Sequence, residues 1–169
     1  MKKTITAGGN PVPVSGGGLQ IGDRAPDFRL HHIGPNGLAD LTLADFAGKT
    51  LILSVATSID TGVCATGVKR FNDAAGKLSE NIKVVTVTTD LPWALKRFAS
   101  ENGIDYISMA SDHRDISFGL AYSGVIVPWR ALARSAFVVN PDGIIKYVEY
   151  LSENANEPDY EAAFSAAQS

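Results

Sequence analysis

Cysteine is nearly absent from this chain. Cys64 is the only one in 169 residues, so no disulfide can close within one copy, and a small disulfide-stapled scaffold is excluded. A single thiol agrees with a reducing compartment. Long apolar runs are missing too: no stretch reaches the roughly eighteen uncharged residues that a spanning helix needs. Met1-Lys2-Lys3 leads into Thr, Gly, Asn and Pro rather than into the apolar core of a secretory signal. The expectation is a soluble, cytoplasmic protein with no membrane contact. Basic runs are lacking, and 15 Lys and Arg stand against 18 Asp and Glu for a net charge of -3, which argues against a nucleic-acid partner. The histidines, His31, His32 and His113, have no zinc-like spacing. Gly16-Gly17-Gly18 precedes no helix that would cradle phosphate, and there is no glycine-lysine loop of the Walker type. No metal and no cofactor are expected.

What is present suits one substantial core, with 45% hydrophobic residues, so residues 1–169 are read as a single domain. Residues 1–20 are β-prone and turn through Gly8-Gly9-Asn10-Pro11, which predicts a small hairpin extension laid on that domain. Leu51-Ile52-Leu53-Ser54-Val55-Ala56 and Lys83-Val84-Val85-Thr86-Val87-Thr88 are apolar on both faces, as central strands are. Between them Val68, Phe71, Ala75 and Leu78 fall at helical spacing. Strand, helix, strand makes a parallel crossover unit. A second unit follows, with Asp90 as the predicted N-cap, Pro92 in the first turn, Gly103 at the end and an extended pattern resuming over Ile104-Asp105-Tyr106-Ile107-Ser108-Met109. Asn140-Pro141-Asp142-Gly143 between two β-rich runs is an antiparallel hairpin signal, and Tyr160–Ala167 a short closing helix. The pattern predicts an α/β fold, a central mixed sheet flanked by helices.

Cys64 falls at the junction of the first strand and helix. In the first turn of a helix, unpaired amides and a partial positive charge make a thiolate easier to form than in water. A buried structural thiol is the competing reading. Thr61, three residues earlier, either reaches back to the sulfur or to an oxygen bonded to it, or shares with Asp60 the simpler task of capping the helix. Arg134 interrupts the apolar run from Ala131 to Phe137, where a guanidinium must reach solvent or meet an anion.

The string Ser58-Ile59-Asp60-Thr61-Gly62-Val63-Cys64 resembles the active-site loop of the peroxiredoxins, specifically the bacterial thiol peroxidase subfamily. The likeness continues through Phe71-Asn72, Asp90-Leu91-Pro92, Leu132-Ala133-Arg134 and Glu157-Pro158-Asp159-Tyr160-Glu161. The resemblance implies a thioredoxin-like fold, a homodimer, and reduction of hydrogen peroxide and organic hydroperoxides with thioredoxin or a low-molecular-weight thiol as reductant. It assigns Cys64 as the peroxidatic cysteine, Thr61 as the threonine that hydrogen-bonds thiolate and peroxide, and Arg134 as the arginine that favours the thiolate and orients substrate. Thr57, Ser58, Gly62 and Val63 would line the pocket.

Two positions depart from that pattern. Thr57 stands where the family has a proline that shields the thiolate, and it brings a hydroxyl and backbone freedom instead of a rigid apolar ring. Ala99 occupies the position of the usual resolving cysteine, so a sulfenic acid on Cys64 would have to be reduced by an outside thiol, or by Cys64 of another subunit if the two could meet. A competing function follows: a dimeric redox sensor or binding protein that keeps the fold and oxidises without turnover. The residues around Val127-Pro128-Trp129 and the segment before Cys64 are the candidate dimer surface, with Trp129 in the core as the alternative.

Overall fold

The computed structural model describes residues 2–169. Strands β1 (Lys2–Ala7) and β2 (Asn10–Ser15) form the N-terminal hairpin, joined by Gly8 and Gly9, both at positive φ. β3 (Arg29–Gly34) and β4 (Gly37–Thr42) make a second hairpin around Pro35 and Asn36, followed by a single 3-10 turn at Leu43–Phe46. Then come β5 (Thr50–Val55), α1 (Gly62–Ala75), β6 (Ile82–Thr88), α2 (Pro92–Asn102) and β7 (Ser108–Ser111). The short α3 (Ser117–Ala121) precedes the two-residue strands β8 (Val125–Ile126) and β9 (Ala131–Leu132). A last hairpin, β10 (Ser135–Val139) and β11 (Ile145–Tyr150), leads to α4 (Tyr160–Gln168).

The central sheet has seven strands in the order β11-β10-β5-β6-β7-β3-β4, and β1-β2-β8-β9 form a separate four-stranded sheet. β5, β6 and β7 run parallel, while β10 lies antiparallel to β5. This is the expected mixed sheet flanked by helices, with the hairpin at its start.

Alternation along the central strands explains the layering. Leu51, Leu53, Val55, Val85, Val87, Phe137 and Val139 join Phe28, Phe118 and Tyr122 on one side of the sheet. The intervening Ile52, Val84 and Val138 pack instead with Phe71 of α1 and Tyr160 of α4. Both faces of these strands are therefore covered, which is why they read as nearly continuous apolar runs.

Several local expectations are corrected. Ile104–Ile107 is not extended: β7 begins at Ser108, because the side chain of Asn72 accepts from the amides of Asp105 and Tyr106 and holds that segment as a turn. Trp129 lies outside the core, with half its surface exposed. Asp90 does not cap α2. Leu91 occupies the N-cap position and makes no side-chain capping bond, while the Asp90 carboxylate turns back toward the loop before Cys64. Among the described residues, no helix is long and apolar enough to cross a membrane.

Candidate active site

β5 ends at Val55 and delivers the chain to a loop beyond the carboxyl ends of the parallel strands, the usual place for a site in an α/β sheet. Polar groups fix this loop. Asp90 accepts from the Ser58 hydroxyl at 2.8 Å, from the Ile59 amide at 2.9 Å and from the Thr88 hydroxyl at 2.9 Å. The Ser58 carbonyl accepts from the Thr61 hydroxyl at 3.0 Å and the Thr61 amide at 3.2 Å. Ile59 is buried with Val68, Leu95 and Phe98. The loop is thus pinned by one carboxylate above and one apolar side chain below.

α1 then begins at Gly62. Thr61 is its N-cap residue but makes no side-chain capping bond, and the helical ladder opens with the Ala65 amide donating to the Thr61 carbonyl at 3.0 Å. Cys64 is the third helical residue and only 1% exposed. Its sulfur accepts from Nη2 of Arg134 at 2.8 Å. Arg134 is itself 5% exposed and enters no ion pair with a carboxylate among the described residues.

A buried guanidinium without a counter-ion is costly. The sulfur it touches can become an anion, and ionisation would supply that counter-ion at charge-assisted hydrogen-bonding range. The helix start, where amides precede the first intrahelical bond, adds to the same field.

The rest of Arg134 is held equally firmly. Its amide donates to Oδ1 of Asn154 at 2.8 Å and its Nε to the Asn154 carbonyl at 3.0 Å. Nδ2 of Asn154 donates to Oγ1 of Thr57 at 2.9 Å, and Thr57 donates to the Leu132 carbonyl at 3.0 Å. Thr57 is therefore buried and fully hydrogen-bonded. Asn154 was invisible to sequence reasoning, since it lies in a polar, irregular segment with no periodic signal.

Two spaces flank Arg134. A crevice of about 10 Å³ behind the sulfur is bounded by Gly67, Val68, Phe71 and Pro158 and is too small for a ligand. An open cavity of about 270 Å³ lies on the other side, lined by Ala7, Gly8, Thr57, Thr61, Gly62, Val63, Trp129, Arg134, Asn154 and Ala155. Of the pocket residues named from sequence, Thr57, Gly62 and Val63 face this cavity, together with Thr61, whereas Ser58 holds the loop behind it. The sulfur sits beneath the cavity wall rather than in it.

Thr61 borders the cavity, but its hydroxyl proton is directed to the Ser58 carbonyl rather than to the sulfur. Ala99 packs beside the apolar cluster of Ile59, Val68, Leu95, Phe98 and Ile104. His31 and His113 stack on one another away from this site, their rings 5.3 Å apart. Burial, then the neighbouring Arg114, holds His31 below the usual imidazole range.

Tyr160 of α4 closes the far side, its hydroxyl so close to Gly67 that a Cβ there would meet it at 2.9 Å. Burial first, and then Glu157, push the Tyr160 phenol up to about 12, so it stays neutral at physiological pH.

Comparison with known proteins agrees with this geometry. The family model described as Redoxin matches residues 20–164. A thiol peroxidase of Halalkalibacterium halodurans is 44% identical over 98% of this chain and 97% of its own length. A thiol peroxidase of Bacillus subtilis is 46% identical over 97% of this chain and 96% of its own. The crystal structure of a peroxiredoxin-like protein from Aquifex aeolicus superposes with a TM-score of 0.87 at 30% identity, covering 99% of this chain and 98% of that one. With a matching family model across most of its length and near-full-length relatives of this identity, the chain belongs to the redoxin family, among its thiol peroxidases.

Proposed function

We propose that the protein is a thiol peroxidase that reduces hydrogen peroxide and organic hydroperoxides through Cys64. The observation that carries this reading is the buried Arg134 guanidinium, 2.8 Å from the sulfur and without a carboxylate partner among the described residues.

Thiolate Cys64 attacks the terminal oxygen of ROOH. The S–O bond forms as the O–O bond breaks, the leaving oxygen takes a proton to depart as ROH or water, and cysteine sulfenic acid remains. Arg134 has one nitrogen on the sulfur and a side that faces the cavity. That position supports a role in following the negative charge from sulfur to the departing oxygen, a stabilisation greater in the transition state than in the bound substrate. Thr61, at the cavity edge, keeps its oxygen lone pairs available to accept from the hydroperoxide proton.

Recycling needs two equivalents of an external thiol. The first condenses with the sulfenic acid, releasing water and leaving a mixed disulfide; the second displaces Cys64 as thiol and forms the oxidised reductant. Ala99 offers no sulfur for an internal route. Thioredoxin or a low-molecular-weight thiol in the cytoplasm fits this requirement. Val127 and Trp129, 47% and 50% exposed, supply an apolar face for a homodimer.

Stopped-flow loss of the Cys64 thiol with hydrogen peroxide and with an organic hydroperoxide tests the reading. One equivalent consumed rapidly, followed by continued turnover only when external thiol is added, is expected. Reaction no faster than that of free cysteine at the same pH would overturn it, and oxidation without turnover by any thiol would favour the redox-sensor alternative.

A further inference from the structure

Thr57 and Asn154 form a buried polar pair on the side of Arg134 away from the sulfur, and the expected proline at position 57 could take no part in it. Asn154 uses both ends of its amide. Oδ1 accepts from the Arg134 N–H, a group that can only donate, so Nδ2 must face Thr57. Oγ1 of Thr57 accepts that bond and passes its own proton to the Leu132 carbonyl. The Asn154 backbone carbonyl meanwhile holds Nε of Arg134, leaving Nη2 of the same guanidinium for Cys64.

We propose that Thr57 and Asn154 are positioning residues for Arg134: together they fix the backbone of residue 134 and the carbonyl that orients its guanidinium, and so hold the positive charge on the Cys64 sulfur. Rather than loosening the pocket, the hydroxyl at 57 completes the support of the arginine. Proline would supply no partner for Nδ2, leaving a buried donor unpaired.

The pair also reaches the N-terminal hairpin. The Asn154 backbone N–H donates to the Thr6 carbonyl at 2.7 Å, next to Ala7 and Gly8 of the cavity wall. A shift of Asn154 therefore moves both the charge beneath the cavity and one wall of it. Cys64, Arg134, Thr57 and Asn154 are buried although the last three border the open cavity, so a lost bond leaves its partner with little exposure to water.

The test rests only in part on the peroxidase reading, because alkylation of Cys64 by iodoacetamide reports thiolate whatever its biological oxidant. Thr57→Val keeps the shape and removes the hydroxyl, Thr57→Ser restores it, and Asn154→Leu removes both amide ends. Each is measured for alkylation rate and peroxide rate across pH, with thermal unfolding as a control. Thr57→Val is expected to slow alkylation at neutral pH by about 5-fold, the worth of one hydrogen bond, with the pH profile displaced to higher pH and Thr57→Ser close to the parent. Asn154→Leu is expected to lose about 10- to 100-fold, as losses of supporting shells do.

Parent-like pH profiles in folded Thr57→Val would overturn the proposal, as would a loss that Thr57→Ser fails to restore. If Asn154→Leu does not fold, the two Thr57 variants decide. If the parent alkylates fast but ignores peroxide, the peroxidase reading fails while the positioning claim is still decided by these profiles.

Discussion

The two crossover units of this molecule, β5-α1-β6 and β6-α2-β7, share a strand and a parallel connection. Both helices begin without a side-chain cap, and both carry the same partial charge at their N-termini. Only α1 carries a thiol. What distinguishes it arrives from elsewhere in the chain: Arg134 from the residue before β10, Asn154 from the segment before α4, and Asp90 from the mouth of α2. The second unit gives its one carboxylate at that mouth to the first, tying down Ser58 and Ile59 instead of its own helix. A helix start favours an anion, and a buried guanidinium at 2.8 Å adds a second, closer positive charge.

Removing that counter-charge should have the largest effect. Arg134→Met preserves much of the side-chain bulk, and it is expected to lower the peroxide rate of Cys64 by about 10²- to 10³-fold, the usual loss for one donor to a developing anion. Stopped-flow oxidation measures it, and a loss below a few-fold would leave α1 no different in kind from α2.

Asp90→Ala sharpens the same contrast. It deletes three hydrogen bonds to a carboxylate and is expected to cost about 3 kcal/mol, at the upper end for bonds to a charged group. Urea denaturation reads the loss, and faster proteolysis around Ser58 should accompany it, with α2 helicity retained. Loss of α2 instead would restore Asp90 to the capping role that its sequence position suggests.

Shared strand β6 supplies a smaller effect. Thr86 is fully buried and its hydroxyl finds no partner among the described residues. Thr86→Val should raise stability by about 1 kcal/mol in the same urea experiment, since it removes an unpaired polar atom at nearly constant shape.

The smallest effect belongs to the partly exposed Glu153, which grips the hairpin turn by accepting from the Gly8 and Gly9 amides at 3.0 Å each. Backbone donors, the Ala155 amide first, lower its carboxyl to about 2. A carboxylate held below its unfolded value stabilises the fold above the ordinary range near 4.5 and loses that contribution as pH falls toward about 2. Thermal midpoints of the parent and Glu153→Gln should therefore differ at pH 6 and converge near pH 2; a constant difference would mean that the carboxylate charge is not the cause.

How far the sequence carries can be seen residue by residue. The strands around α1 and the face of Val68, Phe71 and Ala75 are legible because burial imposes a period. Arg134 is legible as an anomaly in an apolar run, and the likeness of the loop to the peroxiredoxins pairs it with Cys64 across 70 positions. Asp90 was misread because a residue before Pro92 satisfies capping rules equally well whether its side chain turns forward or back. β8, β9 and the five-residue α3 are too short to show a period. Thr57 was visible as a departure whose meaning changed once Asn154 stood beside it, and nothing local marks Asn154 because its partners are all distant in sequence.

The central proposal is that the Arg134 guanidinium, 2.8 Å from the buried sulfur, favours its thiolate. Thiolate absorbance at 240 nm, taken as the difference between the protein and its Cys64→Ser variant across pH, tests it most directly. At pH 7 the band should be stronger in the parent than in Arg134→Met. A band of equal strength in both proteins at every pH would contradict the account.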